Sequence, residues 1–376
     1  METNARKLTF CRNCLAMSTR PRIIFDARGW CNACVWSETK LVLDWDSRQH
    51  ELTTLLNSHR SLHGTFDCLV PVSGGKDGSY VSYNLKYKYG MSPLAVTVTP
   101  PLPTALGEQN LKAFINCGYN HISINPDYEM MRRLNKAGFI NKGSPYHGWL
   151  CTIETAVVRL ALQLNIPLIF YGEDGEVEYG GSTETSGSPF LTLEYISRVW
   201  FEGHDDYLKL LHTTKLLHTN TTYFEFPDLT DPVAKNLKIC TWSYFENWDP
   251  YRNYLVAKEH CGLAETNSSN SGTFTNFAQS DQELYALHTY LMYLKFGFGR
   301  ANQDACIEVR RGAMTRDQAV NLVRLYDGQY PLEYIGSYLA YYQMTPQEFD
   351  AVLDRHVNRT LFEKIEGRWN PKFIIS

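Results

Sequence analysis

Long apolar runs are missing from this chain of 376 residues: the longest, such as IPLIFY at Ile166–Tyr171, fall far short of the roughly 18 residues a membrane span requires. The N-terminus, METNARKLTFCRNC, has no apolar leader segment, so a cytoplasmic protein with no membrane span is expected. Excess positive charge is also missing. Thirty-six Lys and Arg against 40 Asp and Glu give a net charge of −4, which would not draw the protein onto nucleic acid and favours a small substrate. There is no internal repeat or coiled-coil heptad, and only 20% of residues are charged against 44% hydrophobic, which excludes a disordered chain. At roughly 150 residues per domain, two to three domains are expected.

Three regions differ in texture. Residues 1–45 carry four clustered cysteines and few long aliphatic runs, and are expected to form a metal-held lobe. From Asp67 short apolar runs alternate with helix-compatible stretches: DCLVPV (67–72), YVSYNLKYKY (80–89), PLAVTV (93–98), EQNLKAFINCG (108–118), HISIN (121–125), TIETAVVRLALQLN (152–165) and IPLIFYG (166–172). That alternation predicts a doubly wound, mostly parallel α/β sheet, placed within residues 60–280. From about 175 to 280 the periodicity fades into a Tyr/Thr/Trp/Asn-rich stretch with a loop at TNSSNSGT (266–273), and no fold is predicted there. Residues 281–376 read as helical, with capping boxes at Thr315/Gln318 and Thr345/Glu348 and Pro346 at a first helical position.

Cys11-x2-Cys14, sixteen residues, then Cys31-x2-Cys34 is the spacing of a zinc ribbon or knuckle. Four thiolates close a tetrahedral shell and leave no position for substrate, so such a zinc is structural. Iron ligation or a redox role is the other use of this pattern.

Ser73-Gly74-Gly75-Lys76-Asp77-Gly78-Ser79 stands between a strand-like run and a helix-like one. Glycines there let backbone N–H groups approach an anion, and a helix N-terminus adds positive potential. The sequence lacks a Walker A loop. A second loop, Glu173-Asp174-Gly175-Glu176-Val177-Glu178, follows IPLIFY at the carboxyl edge of the expected sheet, where its carboxylates either hold magnesium or form a solvated acidic turn.

SGGKDGS resembles the S-G-G-x-D-S signature of the PP-loop ATP pyrophosphatases (adenine nucleotide alpha hydrolase-like), with Gly78 where that family has its Ser and Ser79 next. The cysteine lobe, that loop, GEQNL (107–111), FYGEDGEVEYGG (170–181) and YLKFGFGRANQDACIEVRRG (293–312) together resemble the N-acetyl sugar amidotransferases of bacterial surface-polysaccharide and nonulosonic acid synthesis. The resemblance implies an ATP-dependent C–N ligase that turns a sugar's acetamido group into an acetamidino group through an imidoyl adenylate. Ammonia would come from a partner glutaminase, often with a cyclase-like companion. It further implies Ser73, Gly74, Gly75, Gly78 and Ser79 on ATP and pyrophosphate, Lys76, Asp77 and Asp174 as catalytic, and Asp77, Glu173 and Asp174 on magnesium. An acidic N-acetylated sugar would meet His147, Trp149, Glu178, Lys295, Arg300, Arg310 and Arg311.

Two other readings are open at this point, a PP-loop tRNA thiolase and a non-enzymatic zinc-dependent nucleic-acid-binding protein, the latter suggested by Arg20, Arg22 and Arg28 between the cysteine pairs. The net charge weighs against both, and the absence of a further C-x-x-C among Cys68, Cys117, Cys151, Cys240, Cys261 and Cys306 weighs against the thiolase.

Overall fold

The computed structural model describes residues 8–61, 66–228 and 232–376. Residues 1–7, on which the absence of a leader was read, lie outside these.

Short apolar runs build the centre of the molecule because each alternates between two cores. In β1 (Cys68–Pro71), Leu69 faces one hydrophobic cluster while Cys68 and Val70 face another; in β2 (Pro93–Val98), Leu94, Val96 and Val98 join the first and Ala95 the second. In β4 (Leu168–Tyr171) Ile169 faces the first and Leu168 and Phe170 the second. A strand buried on both faces needs a helix layer on each side. The helices Tyr128–Lys142 and His147–Gln163 belong to the first core, and Lys76–Tyr83 and Pro250–Cys261 cover the second.

With β3 (Asn120–Ile124), β5 (Phe190–Leu191) and β6 (Lys238–Thr241), the sheet has six strands in the order β3-β2-β1-β4-β6-β5. All neighbours are parallel except the edge strand β5, which pairs antiparallel to β6. This is the expected doubly wound sheet. The chain runs outward from β1 through β2 to β3, then returns to place β4 on the other side of β1, paired Leu69 to Ile169. That reversal opens a crevice beyond the carboxyl ends of β1 and β4, the usual ligand position in such sheets.

Part of the stretch left unassigned from sequence thus supplies two strands of the sheet, β5 and β6. The C-terminal region is helical, and both capping boxes form, Thr315 with Gln318 and Thr345 with Glu348. It ends in an antiparallel hairpin, β7 (Phe362–Ile365) with β8 (Arg368–Pro371), which a wholly helical reading omits. Among the described residues no helix is long and apolar enough to cross a membrane.

Candidate active site

The loop after β1 fills the crevice. Gly74 has φ +81°, and a Cβ there would lie 2.4 Å from the backbone nitrogen of Leu111, so only glycine lets helix Ala105–Asn116 pack against the loop. Gly78 is equally constrained, since its Cβ would stand 2.7 Å from the Pro71 carbonyl oxygen. Helix Lys76–Tyr83 then starts at Gly75 with no side-chain cap, leaving its first N–H groups available to an anion.

A cavity of about 280 Å³ lies over this terminus, lined by Ser73, Gly75, Lys76, Asp77 and Gly78 and faced by Glu173, Tyr179, Asp281 and Arg300. Lys76 Nζ contacts Asp77 Oδ2, and Asn253 Nδ2 donates to Asp77 Oδ1 at 3.2 Å. Burial, then the charge of Asp77, pushes Glu173 up to about 7, and the Tyr179 hydroxyl donates to its Oε1 at 2.8 Å. The Asp77 and Glu173 carboxylates, in a pocket that also holds Lys76 and Arg300, offer oxygen donors of the kind magnesium takes. Arg300 donates from Nε to Asp304 at 2.8 Å; burial opposes its charge, but the facing carboxylates and Tyr179 outweigh it, so its pKa is raised.

A second, mainly apolar cavity of about 520 Å³ adjoins the first and shares Ser73, Gly107, Asp281 and Tyr285 with it. Val72, Val96, Val98, Leu111 and Trp149 wall it, and Glu154 and Tyr171 form its polar end. Burial lifts the Glu154 carboxyl to about 8. Asp281, common to both cavities, is lifted by burial to about 6, and its Oδ2 has no hydrogen-bond partner. Neither cavity is lined by a cysteine among the described residues.

The structure distributes the sequence-derived candidates unevenly. Ser73, Gly75, Lys76, Asp77, Gly78, Glu173 and Arg300 come together around the phosphate-sized cavity. Gly74 is set behind the loop, and Ser79 is wholly buried with an unpartnered hydroxyl. Asp174 is occupied as the N-cap of helix Gly175–Tyr179, accepting from Glu176 and Val177, and also receives the Thr185 hydroxyl. Trp149 lines the apolar cavity, whereas His147 is buried beside Cys151. Lys295 donates to the Lys142 carbonyl at 2.8 Å, and Arg311 pairs with Glu308 at 2.8 Å and Asp249 at 3.3 Å. Burial opposes the charge of Arg310, and the Cys14 sulfur, held well toward its thiolate form, outweighs that; Arg310 Nη2 also donates to the Glu178 carbonyl oxygen. Glu178 is itself paired with Lys40 at 2.8 Å and accepts from Trp36. Asp281 and Tyr285 were missed from sequence because they open the helical region just after the 175–280 stretch and belong to no motif; only the fold brings them to the cavities.

Cys11, Cys14, Cys31 and Cys34 form a buried cluster with all four sulfurs within 4.8 Å of one another. Three of their separations are 3.6–3.7 Å, against edges of roughly 3.8 Å for a tetrahedron with Zn–S bonds of about 2.3 Å. Backbone N–H groups of Cys31 and Ala16 point at Cys11 and Cys14 sulfurs, as thiolates require. The donor set fits a structural zinc.

No curated protein matches the chain. The structure of NMN synthetase from Francisella tularensis aligns with 12% identity and a TM-score of 0.28 over 61% of this chain and 99% of that one, too loosely to inform the site. Residues 271–373, which include Asp281, Tyr285 and Arg300, match the family described as LPS biosynthesis protein WbpG-like, C-terminal domain.

Proposed function

We propose that this chain is an ATP-dependent amidotransferase that converts an acetamido group of a surface-polysaccharide sugar into an acetamidino group. The observation that carries the reading is the junction of an uncapped helix terminus and glycine loop with a mainly apolar cavity roomy enough for a nucleobase, at the switch point of a mostly parallel sheet. The match of the C-terminal segment to a lipopolysaccharide-synthesis domain supports the choice of acceptor.

An amide carbonyl is a poor electrophile, so ammonia cannot displace its oxygen directly. Attack of the acetamido oxygen on the α-phosphorus forms an O–P bond and breaks the link to the β-phosphate. Pyrophosphate departs into the N–H cradle of Gly75–Asp77, beside Lys76 and Arg300. Magnesium, held by Asp77 and Glu173, would screen its charge. Ammonia then adds to the imidoyl carbon, Asp281 accepts a proton from the adduct, the C–O bond breaks and AMP leaves. The zinc of the cysteine lobe serves structure alone.

Ammonia is proposed to come from a partner glutaminase, with or without a cyclase-like companion, as the family resemblance implies; no cysteine of the chain stands in a G-x-C-x-G elbow. The purified chain should therefore form amidine from ATP, ammonium salt and a panel of acetamido sugars, releasing AMP and pyrophosphate, and should leave glutamine intact. Mass spectrometry of the products is the check; ADP and orthophosphate, or glutamine-driven turnover by the chain alone, would refute the reading. Asp281→Asn should lower amidine formation about a hundredfold, the low end for a lost general base, while sugar-dependent exchange of labelled pyrophosphate into ATP continues. Equal loss of both would remove Asp281 from the nitrogen-transfer step.

A further inference from the structure

Helix Pro250–Cys261 packs on the second core and touches Asp77 with one side chain. Its start is firmly set. Asp249 accepts from the N–H groups of Tyr251 and Arg252 at 2.9 and 3.2 Å, and Pro250 takes the first helical position. Asn253 follows in the first turn. Asparagine is a poor helix former, because its amide competes with the backbone for hydrogen bonds. Here the side chain is wholly buried and its amide is committed elsewhere: Nδ2 donates to Asp77 Oδ1 at 3.2 Å, and Oδ1 accepts from Arg252 Nη2 at 3.3 Å.

These two neighbours fix which way the amide points. Turned over, it would set its oxygen against the Asp77 carboxylate and its NH2 group against the Arg252 guanidinium, two repulsive contacts. Arg252 is held in turn by Glu246 at 2.7 Å, by the Asn247 carbonyl at 3.2 Å and over the face of Tyr80, 4.8 Å from the ring centre. The chain leaving β4 also closes on Asp77, since a Cβ on Gly172 would lie 3.1 Å from Asp77 Cβ and 3.0 Å from the Trp248 ring.

The two oxygens of Asp77 are treated differently. Oδ1 is held by a neutral amide, which orients a carboxylate without cancelling its charge. Oδ2 contacts Lys76, a cation on a flexible stem that can move to an arriving phosphate. Each carboxylate oxygen has two acceptor positions, so neither contact exhausts Asp77 as a ligand.

We infer that Asn253 is a positioning residue: it holds Asp77 by Oδ1, with Arg252 setting the amide, and so keeps the carboxylate presented to the phosphate cavity for a divalent cation. The inference rests on the reading of Asp77 as a magnesium ligand. Groups that orient a metal ligand through a hydrogen bond change metal affinity or activity roughly ten- to a hundredfold when removed.

The test uses the full chain with α,β-methylene-ATP, which cannot be split between the α and β phosphates, and Mn²⁺ as the metal probe. Mn²⁺ affinity of the nucleotide-bound chain is read from the EPR spectrum, with the metal–nucleotide complex alone as the baseline. Asn253→Leu, close in shape but without a donor, should weaken Mn²⁺ about tenfold, with affinity for the metal-free analogue unchanged. In an Asp77→Asn background the same change should have almost no further effect, because Asn253 acts through Asp77. Arg252→Met alters a side chain that is 37% exposed, and should weaken Mn²⁺ about threefold by freeing the amide. An asparagine that merely packs would lower the melting temperature and leave Mn²⁺ affinity alone. Unchanged Mn²⁺ affinity in Asn253→Leu, or in Arg252→Met should the first variant not fold, would overturn the assignment, as would equal losses with and without the Asp77 carboxylate. Absence of Mn²⁺ uptake by the wild type would remove the magnesium reading and this role together. Coupled loss of Mn²⁺ in a chain that forms no amidine would count against the reaction and leave Asn253 in its role.

Discussion

Asp77→Asn is expected to cut pyrophosphate release about a thousandfold while leaving the fold intact. Asp77 stands at the second position of helix Lys76–Tyr83, contacts Lys76, and faces Glu173 across the cavity in which pyrophosphate would form. A metal cation that Asp77 would hold where negative charge develops contributes several kcal/mol, and the neutral isostere, a weaker ligand, forfeits most of that. Circular dichroism and melting temperature should stay close to wild type, since the Asn side chain can still accept from Asn253. Pyrophosphate release within tenfold of wild type would show that the metal and the transition-state charge are managed elsewhere.

The larger effect on folding is expected from Cys31→Ser. Structural zinc sites of this kind supply apparent binding energies of roughly 10–16 kcal/mol that are folding energy, and the cluster here is the centre of its own small core, with Leu15, Ala33, Ala305 and Val323 around it. The variant should lose its equivalent of zinc by elemental analysis and unfold the lobe. Activity should fall as well, by displacement rather than by loss of a reacting group. Helix Arg300–Arg310 packs its Ala305 and Cys306 into that core and carries Arg300 into the phosphate cavity at its other end. Stoichiometric iron in the wild type, or a variant that stays folded and metal-loaded, would count against this account.

The sheet was legible where strands are buried on both faces, because PLAVTV, with all six residues buried, can be little else between turn signals. The place of the glycine loop between β1 and helix Lys76–Tyr83 was legible for a related reason: glycine and a strand-to-helix change in period are local signals. β5 and β6 were not, being only two and four residues long, and β6, KICT, opens on a lysine and closes on a threonine. Their strand character comes from pairing, Phe170 with Cys240 and Phe190 with Cys240, which is long-range information. Side-chain roles were least legible. Glu173 and Asp174 are adjacent in sequence, yet one faces the cavity and the other caps a helix, a division set by how the chain turns after β4. Arg300, Arg310 and Arg311 looked equivalent by composition; one turn direction per residue sends the first to the phosphate cavity and the second to the cysteines.

The lobe's attachment determines how this protein can be dissected. Arg22 clasps Glu176 through two nitrogens at 2.6 and 2.7 Å, Asn32 donates to the Gly181 carbonyl at 2.6 Å, and Lys40 and Trp36 both satisfy Glu178. All four contacts land on the short segment after β4 that also presents Glu173 and Tyr179 to the cavity. Trimming the first 45 residues to obtain a minimal catalytic core would strip Glu176 and Glu178 of their partners, expose this face to water and free the segment that positions Glu173. Crystallisation or screening efforts should therefore treat the cysteine lobe and the α/β sheet region as one indivisible expression unit.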